Sequence, residues 1–257
     1  MKHRLSNAKK RIVFGFSGSV NSLVLLHLIN KEKEANRISS ELEIHCVFVD
    51  GAKYPDIWKD KVQSYLESNC QHFSFDIVKG TNDIKFKNPD SQQQFAKLSR
   101  NKKLAEIVRE KEFDAVIFAS CQTSLATSIL RDVSLGYAER TSQHSATVDR
   151  ISCYGVPLGR PLRSLSVKEI ALLFKYLDVK PLPYENLEMG KEVASTTCLG
   201  SLCHSMIAEV GAEYQATASA VFRTGTKLES EIDPENKLHC EVCYVSIVIF
   251  FTLCLPL

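Results

Sequence analysis

The chain has 257 residues, which suits one large domain or one domain with a small appendage. Hydrophobic residues make up 44% and charged residues 24%, an ordinary composition for a soluble globular protein. The net charge of only +2 excludes a global excess of positive charge. Any nucleic-acid surface must therefore come from a local basic patch.

The nine cysteines are an odd number, and several fall in apolar, strand-like runs. The start, MKHRLSNAKKR, is basic and polar, so we expect no signal peptide. These features favour free thiols in a reducing cytosol over a disulfide framework.

The run 244–257, YVSIVIFFTLCLPL, is the one membrane-like stretch. It is shorter than the roughly 20 apolar residues that a bilayer span needs, so we expect a buried strand or an unusual C-terminus and no membrane contact. Its composition breaks sharply from the polar segment before it, which indicates a chain that ends abnormally.

Apolar, strand-like runs alternate with helical patterns along most of the chain. The strand-like runs are RIVFGFSG, EIHCVFVDG, FSFDIVKG and FDAVIFASC. Helical spacing follows them at 21–35, 55–69, within 88–113 and at 122–137. A further helix begins after Ser166, which has Glu169 at the capping-box spacing. Because the strands are continuous apolar runs, the pattern predicts an α/β fold in which a parallel sheet carries helices on both faces.

We expect the α/β domain to span 1–185 and a helical accessory segment to span 186–243. The helix of that segment is expected at 196–210, and a turn or linker at 233–237. The run 244–257 is expected to form a separate apolar tail.

The loop after the first strand is the first candidate site, because ligands of such sheets bind beyond the carboxyl ends of the strands. Its sequence, SGSVNS at 17–22, has small residues that let the backbone approach a phosphate, and the following helix offers unpaired N–H groups. Ser17 and Ser22 add hydroxyl groups. A tight turn in which serine caps the helix explains the same residues, and the residues alone leave both interpretations open.

The loop resembles the PP-loop signature S-G-G-x-D-S of ATP pyrophosphatases, which implies an adenine nucleotide alpha hydrolase-like fold. Ser17, Gly18 and Ser22 match this signature. Ser19 stands in place of the second glycine and adds a Cβ where a phosphate would approach. Asn21 stands in place of the aspartate and removes a negative charge near the expected metal ion.

Two further motifs of PP-loop tRNA-thiolating enzymes are altered. Their Gly-His-Asn-x-x-Asp-Asp-like loop corresponds to ASCQTSLATSIL, where Ser124 and Leu125 occupy the approximate place of the paired aspartates. Their C-x-x-C pair corresponds to the stretch 88–108, which contains no cysteine. The resemblance therefore implies a retained scaffold without catalytic residues, in which ATP binding is weakened and no cofactor is assured.

Two later segments extend the resemblance and point to one family. YGVPLGRPLRSLSVKEIALLFKYLDV is similar to a segment of PP-loop tRNA-modifying enzymes. VFRTGTKL, followed by Cys240-Glu241-Val242-Cys243, resembles the C-terminal stretch of the cytoplasmic tRNA 2-thiolation protein 2 family. The resemblance covers about residues 2–243.

This family resemblance implies a cytoplasmic, non-catalytic subunit that forms a heterodimer with a catalytic PP-loop thiolase and contributes tRNA surface. The partner would take sulfur from a ubiquitin-related modifier. The product would be the 2-thio group of 5-methoxycarbonylmethyl-2-thiouridine in tRNAs for Lys, Glu and Gln. Two alternatives stay open: a self-sufficient ATP-dependent tRNA sulfurtransferase, and an adenine-nucleotide-binding module without a tRNA role.

Five basic residues are candidate tRNA contacts. Lys97, Arg100 and Lys103 are spaced by three on a predicted helix and share a face, which is either a tRNA-facing stripe or a merely solvated surface. Arg160 and Arg163 flank Pro161-Leu162, and they either touch a phosphate backbone or pair with carboxylates.

A few cysteines and histidines are candidate metal ligands, and one aspartate is a candidate ribose contact. Cys240 and Cys243 have metal-ligand spacing but form only half a site, so two free thiols are favoured and no metal is assigned. The remaining candidate ligands are Cys198, Cys203, His204 and His239. Cys121 and Cys153 lie in apolar surroundings and are expected to be core thiols. Asp50 ends the second strand, where a ribose hydroxyl could bind.

Overall fold

The structure is a computed structural model. It describes residues 10–39, 41–50, 56–70, 72–80, 86–137, 141, 146, 148–149, 153–182, 198–228, 238–239 and 246–247.

Strands and helices alternate in the order expected from the sequence. The first part comprises β1 (Lys10–Phe16), α1 (Val20–Glu34), β2 (Leu42–Asp50), α2 (Asp56–Asn69), β3 (Ser74–Lys79), α3 (Pro89–Glu110), β4 (Ala115–Phe118) and α4 (Gln122–Ser134). The second part comprises β5 (Val148–Asp149), β6 (Leu158–Gly159), α5 (Val167–Tyr176), α6 (Leu199–Glu213), α7 (Thr217–Lys227), β7 (Leu238–His239) and β8 (Ser246–Ile247).

The main sheet has six strands in the order β3-β2-β1-β4-β6-β5. All neighbouring pairs are parallel except β5 and β6, which run antiparallel. The predicted parallel sheet is therefore confirmed, with one short antiparallel edge strand that the sequence did not reveal. The chain leaves β1 toward β2 on one side and returns to β4 on the other, so the strand order reverses between β1 and β4.

Successive residues of the central strands feed two separate cores, because side chains alternate between the faces of a sheet. Phe14 and Phe48 point to the side covered by α1, α2 and α5. Val13 and Val47 point to the side covered by α3. The expected helices on both faces are thus confirmed.

A third apolar cluster lies between α4 and the C-terminal helices. Leu125 and Ile129 of α4 pack there against Ile207 of α6 and Phe222 of α7. Gly225 of α7 makes this approach possible, because a Cβ at that position would lie 2.6 Å from Ile129 Cδ1. The glycine of the FRTGTKL segment therefore sets the distance between two helices.

Helix starts follow local capping chemistry. Ser166 Oγ accepts a hydrogen bond from the Glu169 amide, and the Glu169 carboxylate accepts one from the Ser166 amide, so the predicted capping box is confirmed. Asn88 Oδ1 accepts from the Asp90 amide 2.9 Å away, and Pro89 occupies the first helical position. This is why α3 begins at Pro89, before the apolar spacing becomes regular.

Only part of the C-terminal region covered by the expectations from the sequence lies among the described residues. Ser246–Ile247 form a short strand, β8, which pairs with β7, while most of the run 244–257 and the expected linker at 233–237 lie outside the described residues. Over the part of the chain that is described, no helix combines the length and apolar character of a membrane span.

The six cysteines within that part are all buried free thiols. Cys121 and Cys153 are core thiols, as predicted, and burial raises the pKa of Cys153 to about 12.

Candidate functional site

The loop 17–22 follows β1 at the point where the strand order reverses, which is where ligands of such sheets bind. Gly18 has a φ of 74°, a left-handed conformation that glycine adopts without strain. The chain can therefore turn from β1 into α1 within three residues. Ser17, Gly18 and Ser19 form this turn, and Asn21 and Ser22 lie in the first turn of α1.

The three serine hydroxyls of the loop bond within the loop itself. Ser17 Oγ lies 2.9 Å from Ser19 Oγ and 3.4 Å from Ser22 Oγ. Ser22 Oγ donates to the Ser19 carbonyl oxygen at 2.7 Å. Ser19, the residue in place of glycine, thus points its hydroxyl back across the loop toward Ser17.

The start of α1 carries no side chain that would repel an anion. Ser19 occupies the N-cap position but makes no side-chain cap hydrogen bond, and the first turn carries no acidic residue. The helix dipole there favours a negative charge. Ser19 therefore holds the N-cap position without a side-chain cap hydrogen bond, and both interpretations of the loop stay open.

The start of α4 lies at the same edge of the sheet as loop 17–22, because β4 pairs parallel to β1. Cys121 is the N-cap, and its Sγ accepts a hydrogen bond from the Ser124 amide. Ser124 Oγ donates to the Cys121 carbonyl oxygen at 2.8 Å. The Ser124 hydroxyl thus closes the first turn of its own helix.

Leu125, at the approximate place of the second aspartate, is only 3% exposed. It packs in the third apolar cluster with Ile129, Ile207 and Phe222. A carboxylate at this position would be buried among apolar side chains without a partner. The place of a metal-binding residue is therefore used for packing between helices.

These residues do not fit a metal-bound nucleotide. Asn21 offers a neutral amide, Ser124 bonds to its own backbone, and the described residues contain no group of three or more His, Cys, Asp or Glu side chains that could hold a metal ion. Asp50, the ribose candidate, ends β2, and its Oδ1 is buried without a hydrogen-bond partner. The ribose contact stays a prediction.

The predicted basic stripe on α3 is not a continuous exposed face. Arg100 is exposed, but Lys97 and Lys103 are half-buried. Lys103 pairs with Glu106 at 3.2 Å. The pKa of Lys97 is lowered to about 7, first by burial and then by the charges of neighbouring basic groups that include Arg131. Lys97 is thus less accessible than the stripe interpretation assumes, and its role as a tRNA contact stays a prediction.

The two arginines of the RPLR segment have different environments. Arg160 is 5% exposed and forms an ion pair with the fully buried Asp149 of β5. Arg163 is half-buried, and its guanidinium carbon lies 5.7 Å from the ring centroid of Phe222. Arg160 thus pairs with a carboxylate, which is one of the two roles expected for it from the sequence. Asp149 gave no sequence signal, since it lies in a two-residue strand.

A contact between the starts of α3 and α6 was not anticipated. Cys198, the N-cap of α6, donates its thiol to Asp90 Oδ1 at 3.0 Å and lies 3.4 Å from Gln93 Oε1. Burial alone would raise the pKa of Asp90, but hydrogen bonds from Cys198, Leu199 and Gly200 lower it overall. This carboxylate therefore caps a second helix, far away in sequence.

The remaining metal candidates are not brought together in the described structure. Cys203 is buried within α6, where burial raises the pKa of its thiol, and Cys198 bonds to α3. Cys240 and Cys243 lie outside the described residues.

Comparisons with known proteins identify proteins of similar sequence and a solved structure with a similar fold. No family model matches the chain. It is similar to cytoplasmic tRNA 2-thiolation protein 2 of Drosophila erecta, with 24% identity over 261 residues that cover 90% of this chain and 64% of that protein. It is also similar to the same protein of Drosophila persimilis, with 28% identity over 159 residues that cover 62% of this chain and 39% of that protein. The chain thus spans less than two thirds of the curated relatives that it matches.

A solved structure shares the fold. The U34-tRNA thiolase NcsA from Methanococcus maripaludis, determined with its [4Fe-4S] cluster, aligns with a TM-score of 0.66 and 18% identity over 92% of this chain and 80% of that one. The resemblance inferred from the sequence is confirmed: the chain is similar to cytoplasmic tRNA 2-thiolation protein 2 and has the PP-loop, adenine nucleotide alpha hydrolase-like fold.

Proposed function

We propose that this protein acts in tRNA thiolation as a non-catalytic subunit. It would be required for 2-thiolation of the wobble uridine, giving 5-methoxycarbonylmethyl-2-thiouridine in cytosolic tRNAs for Lys, Glu and Gln. The name of its relatives supports the pathway and the cytoplasmic location.

The burial of Leu125 is the observation that best supports a non-catalytic role for this chain. A PP-loop enzyme needs carboxylates for a magnesium–ATP complex at this edge of the sheet. Here Leu125 lies in the apolar cluster beneath α6 and α7. Since the cluster also holds Ile207 and Phe222, it cannot accept a charge without disruption of the helix packing.

A non-catalytic subunit needs a partner for the chemistry. We propose that a catalytic PP-loop thiolase forms a heterodimer with this chain, activates the uridine C2 oxygen by adenylation and takes sulfur from a ubiquitin-related modifier. This chain would stabilise that enzyme and extend its tRNA surface.

The tRNA contacts proposed for this chain are Lys97, Arg100, Lys103, Arg160 and Arg163. Arg100 is exposed and suits a direct contact with an RNA backbone. Arg160 is nearly buried, so it would affect tRNA binding through its charge and by positioning its neighbours.

Co-expression tests this function. We expect the chain to copurify with the catalytic thiolase, and we expect its deletion to abolish the retardation of tRNA for Lys in mercury-containing gels, which reports the 2-thio group. A chain with Ser17→Ala and Ser22→Ala should restore thiolation fully, because the loop performs no chemistry. Adenylated tRNA formed by the isolated chain would instead support the self-sufficient sulfurtransferase. Failure to copurify, together with unchanged thiolation after deletion, would reject the proposal.

A further inference from the structure

The outward side of α6 carries a row of exposed apolar side chains, which we call the α6 stripe. The first three members are spaced by four residues and share one face of the helix, and the fourth follows directly after its last turn. Ile207 of the same helix is buried in the third apolar cluster, so α6 is apolar both toward the protein and toward water. The members of the α6 stripe, each 38–67% exposed, are Leu202, Met206, Val210 and Tyr214.

A second exposed apolar area adjoins the end of the α6 stripe. Lys168 Nζ, in the first turn of α5, donates a hydrogen bond to the Gly211 carbonyl oxygen of α6 at 3.2 Å. Leu172 and Tyr176 follow Lys168 at intervals of four residues on the same face of α5, and they are 68% and 86% exposed. The exposed apolar surface therefore continues from α6 onto α5.

The size of this surface matches a protein–protein interface. A monomeric protein rarely exposes a continuous apolar patch larger than a few hundred Å². The exposed fractions of the six side chains correspond to on the order of 700 Å², close to the roughly 800 Å² that each partner buries in a stable interface. A second copy of the chain would supply the same area from its own α5 and α6.

The charges beside the α6 stripe favour one way of pairing two copies. Glu209 and Glu213 are exposed next to the stripe, in the second half of α6. The first turn of α6 carries no acidic residue, and the helix dipole there favours a negative charge. Two parallel α6 helices would bring the glutamates of both copies together, whereas two antiparallel helices place them near the start of the opposite helix. Charge complementarity therefore favours the antiparallel pair.

We propose that two copies of this chain associate through the α6 stripe, with their α6 helices antiparallel about a two-fold axis. Met206 of one copy then faces Val210 of the second copy, and Leu202 faces Tyr214, because a two-fold axis makes such contacts reciprocal. Rows of side chains spaced by four residues also interdigitate well between helices. The inference does not rest on the proposed function, since it involves only copies of this chain.

Three substitutions distinguish the α6 stripe from other exposed apolar positions. Met206→Lys and Val210→Lys each place a charge in the interface, and both positions are exposed in a single copy, so the chain should still fold. Val20→Lys is the matched control, because Val20 is 38% exposed, as Val210 is, but lies on α1.

A double variant tests the antiparallel arrangement. In Met206→Lys, Val210→Glu, the new lysine of each copy faces the new glutamate of the other, so the charges attract across the interface. A parallel pair would instead place like charges opposite each other. We expect the double variant to dimerise more tightly than either single lysine variant.

Sedimentation velocity at chain concentrations of about 1–100 µM measures the association, and circular dichroism checks that each variant is folded. We expect the unmodified chain to dimerise, the two stripe variants to raise the dissociation constant by about tenfold or more, and Val20→Lys to leave it within about twofold. A chain that stays monomeric over this range overturns the proposal, as does a dimer that the stripe variants leave unchanged or that Val20→Lys weakens equally. Weak association of the double variant would overturn the antiparallel arrangement.

Discussion

Gly225 of α7 and Ile129 of α4 approach so closely that a Cβ on the glycine would lie 2.6 Å from Ile129 Cδ1. The contact holds α7 against the helix that begins at the candidate site. It gives the glycine of the FRTGTKL segment a physical role, since any larger residue would push the two helices apart.

Gly225→Ala should destabilise the protein by about 1–3 kcal/mol, because the added methyl group overpacks the contact with Ile129. Urea unfolding followed by circular dichroism measures the change. Gly211→Ala in α6 is the control: nothing lies within 4 Å of its Cβ position, so alanine should stabilise that helix by up to about 1 kcal/mol. Equal effects of the two substitutions would contradict the packing argument.

Restoring the phosphate-loop signature should not restore catalysis. In the double variant Ser19→Gly, Asn21→Asp, the loop regains the residues of the ATP pyrophosphatase signature, but the start of α4 still lacks carboxylates. We expect no pyrophosphate release from ATP in the presence of magnesium and tRNA. A catalytic PP-loop thiolase assayed in parallel serves as the positive control, and turnover by the double variant would show that Ser124 and Leu125 are not limiting.

Leu125→Asp should destabilise the protein by at least about 3 kcal/mol, since it removes apolar burial and leaves an unpaired carboxyl group inside the third cluster. Leu125→Met, which conserves volume, should cost less than about 1.5 kcal/mol. Thermal unfolding distinguishes the two. A stable, well-folded Leu125→Asp variant would mean that the position can hold a carboxylate and that the absence of catalysis has another cause.

Arg160→Met should cost about 3–5 kcal/mol, because Asp149 would remain as a buried charge without its partner. The double variant Arg160→Met, Asp149→Leu should recover part of this loss. Arg163→Met, which removes only a half-buried arginine above a ring, should cost about 1 kcal/mol or less. A double-mutant cycle without coupling would show that the pair contributes nothing.

We expect Lys97→Met to raise the free energy of unfolding by an amount that depends on pH. The folded-state pKa of Lys97 is about 7 and its ordinary value is 10.5, so between these values the unfolded chain binds more protons. The penalty of the native lysine is therefore fully present below pH 7 and fades as the pH rises toward 10.5. Urea midpoints of variant and unmodified chain should differ most near pH 6–7 and converge above pH 10. A difference that is constant with pH would place the pKa near its ordinary value.

Elements with a strong local signal were predictable from the sequence. The continuous apolar runs that became β1 and β2 indicated a sheet covered on both faces, and the alternation of Val13 with Phe14 explains how one strand feeds two cores. The capping box at Ser166 and Glu169 depends on neighbouring residues alone, so it too was predicted correctly. Short strands were harder to predict from the sequence: β6 has only two residues, and its pairing depends on β4.

Contacts between distant segments were not predictable. The spacing of Lys97 and Arg100 indicated a shared helix face, but it held no information about α4, whose Arg131 contributes to the lowered pKa of Lys97. The partners of Arg160 and Cys198 are Asp149 and Asp90, and each pairing depends on how whole elements pack. A single sequence therefore located the candidate loop after β1, but not the charges that lower the pKa of Lys97.

The contact between Cys198 and Asp90 has a consequence for synthesis of the chain, because 108 residues separate the two partners. At about 5–20 residues per second, the ribosome completes α3 roughly 5–20 s before α6 emerges. During that interval the apolar side of α4, which includes Leu125 and Ile129, has no α6 or α7 to cover it. The nascent protein thus presents a hydrophobic surface that chaperones can bind until α6 and α7 are made.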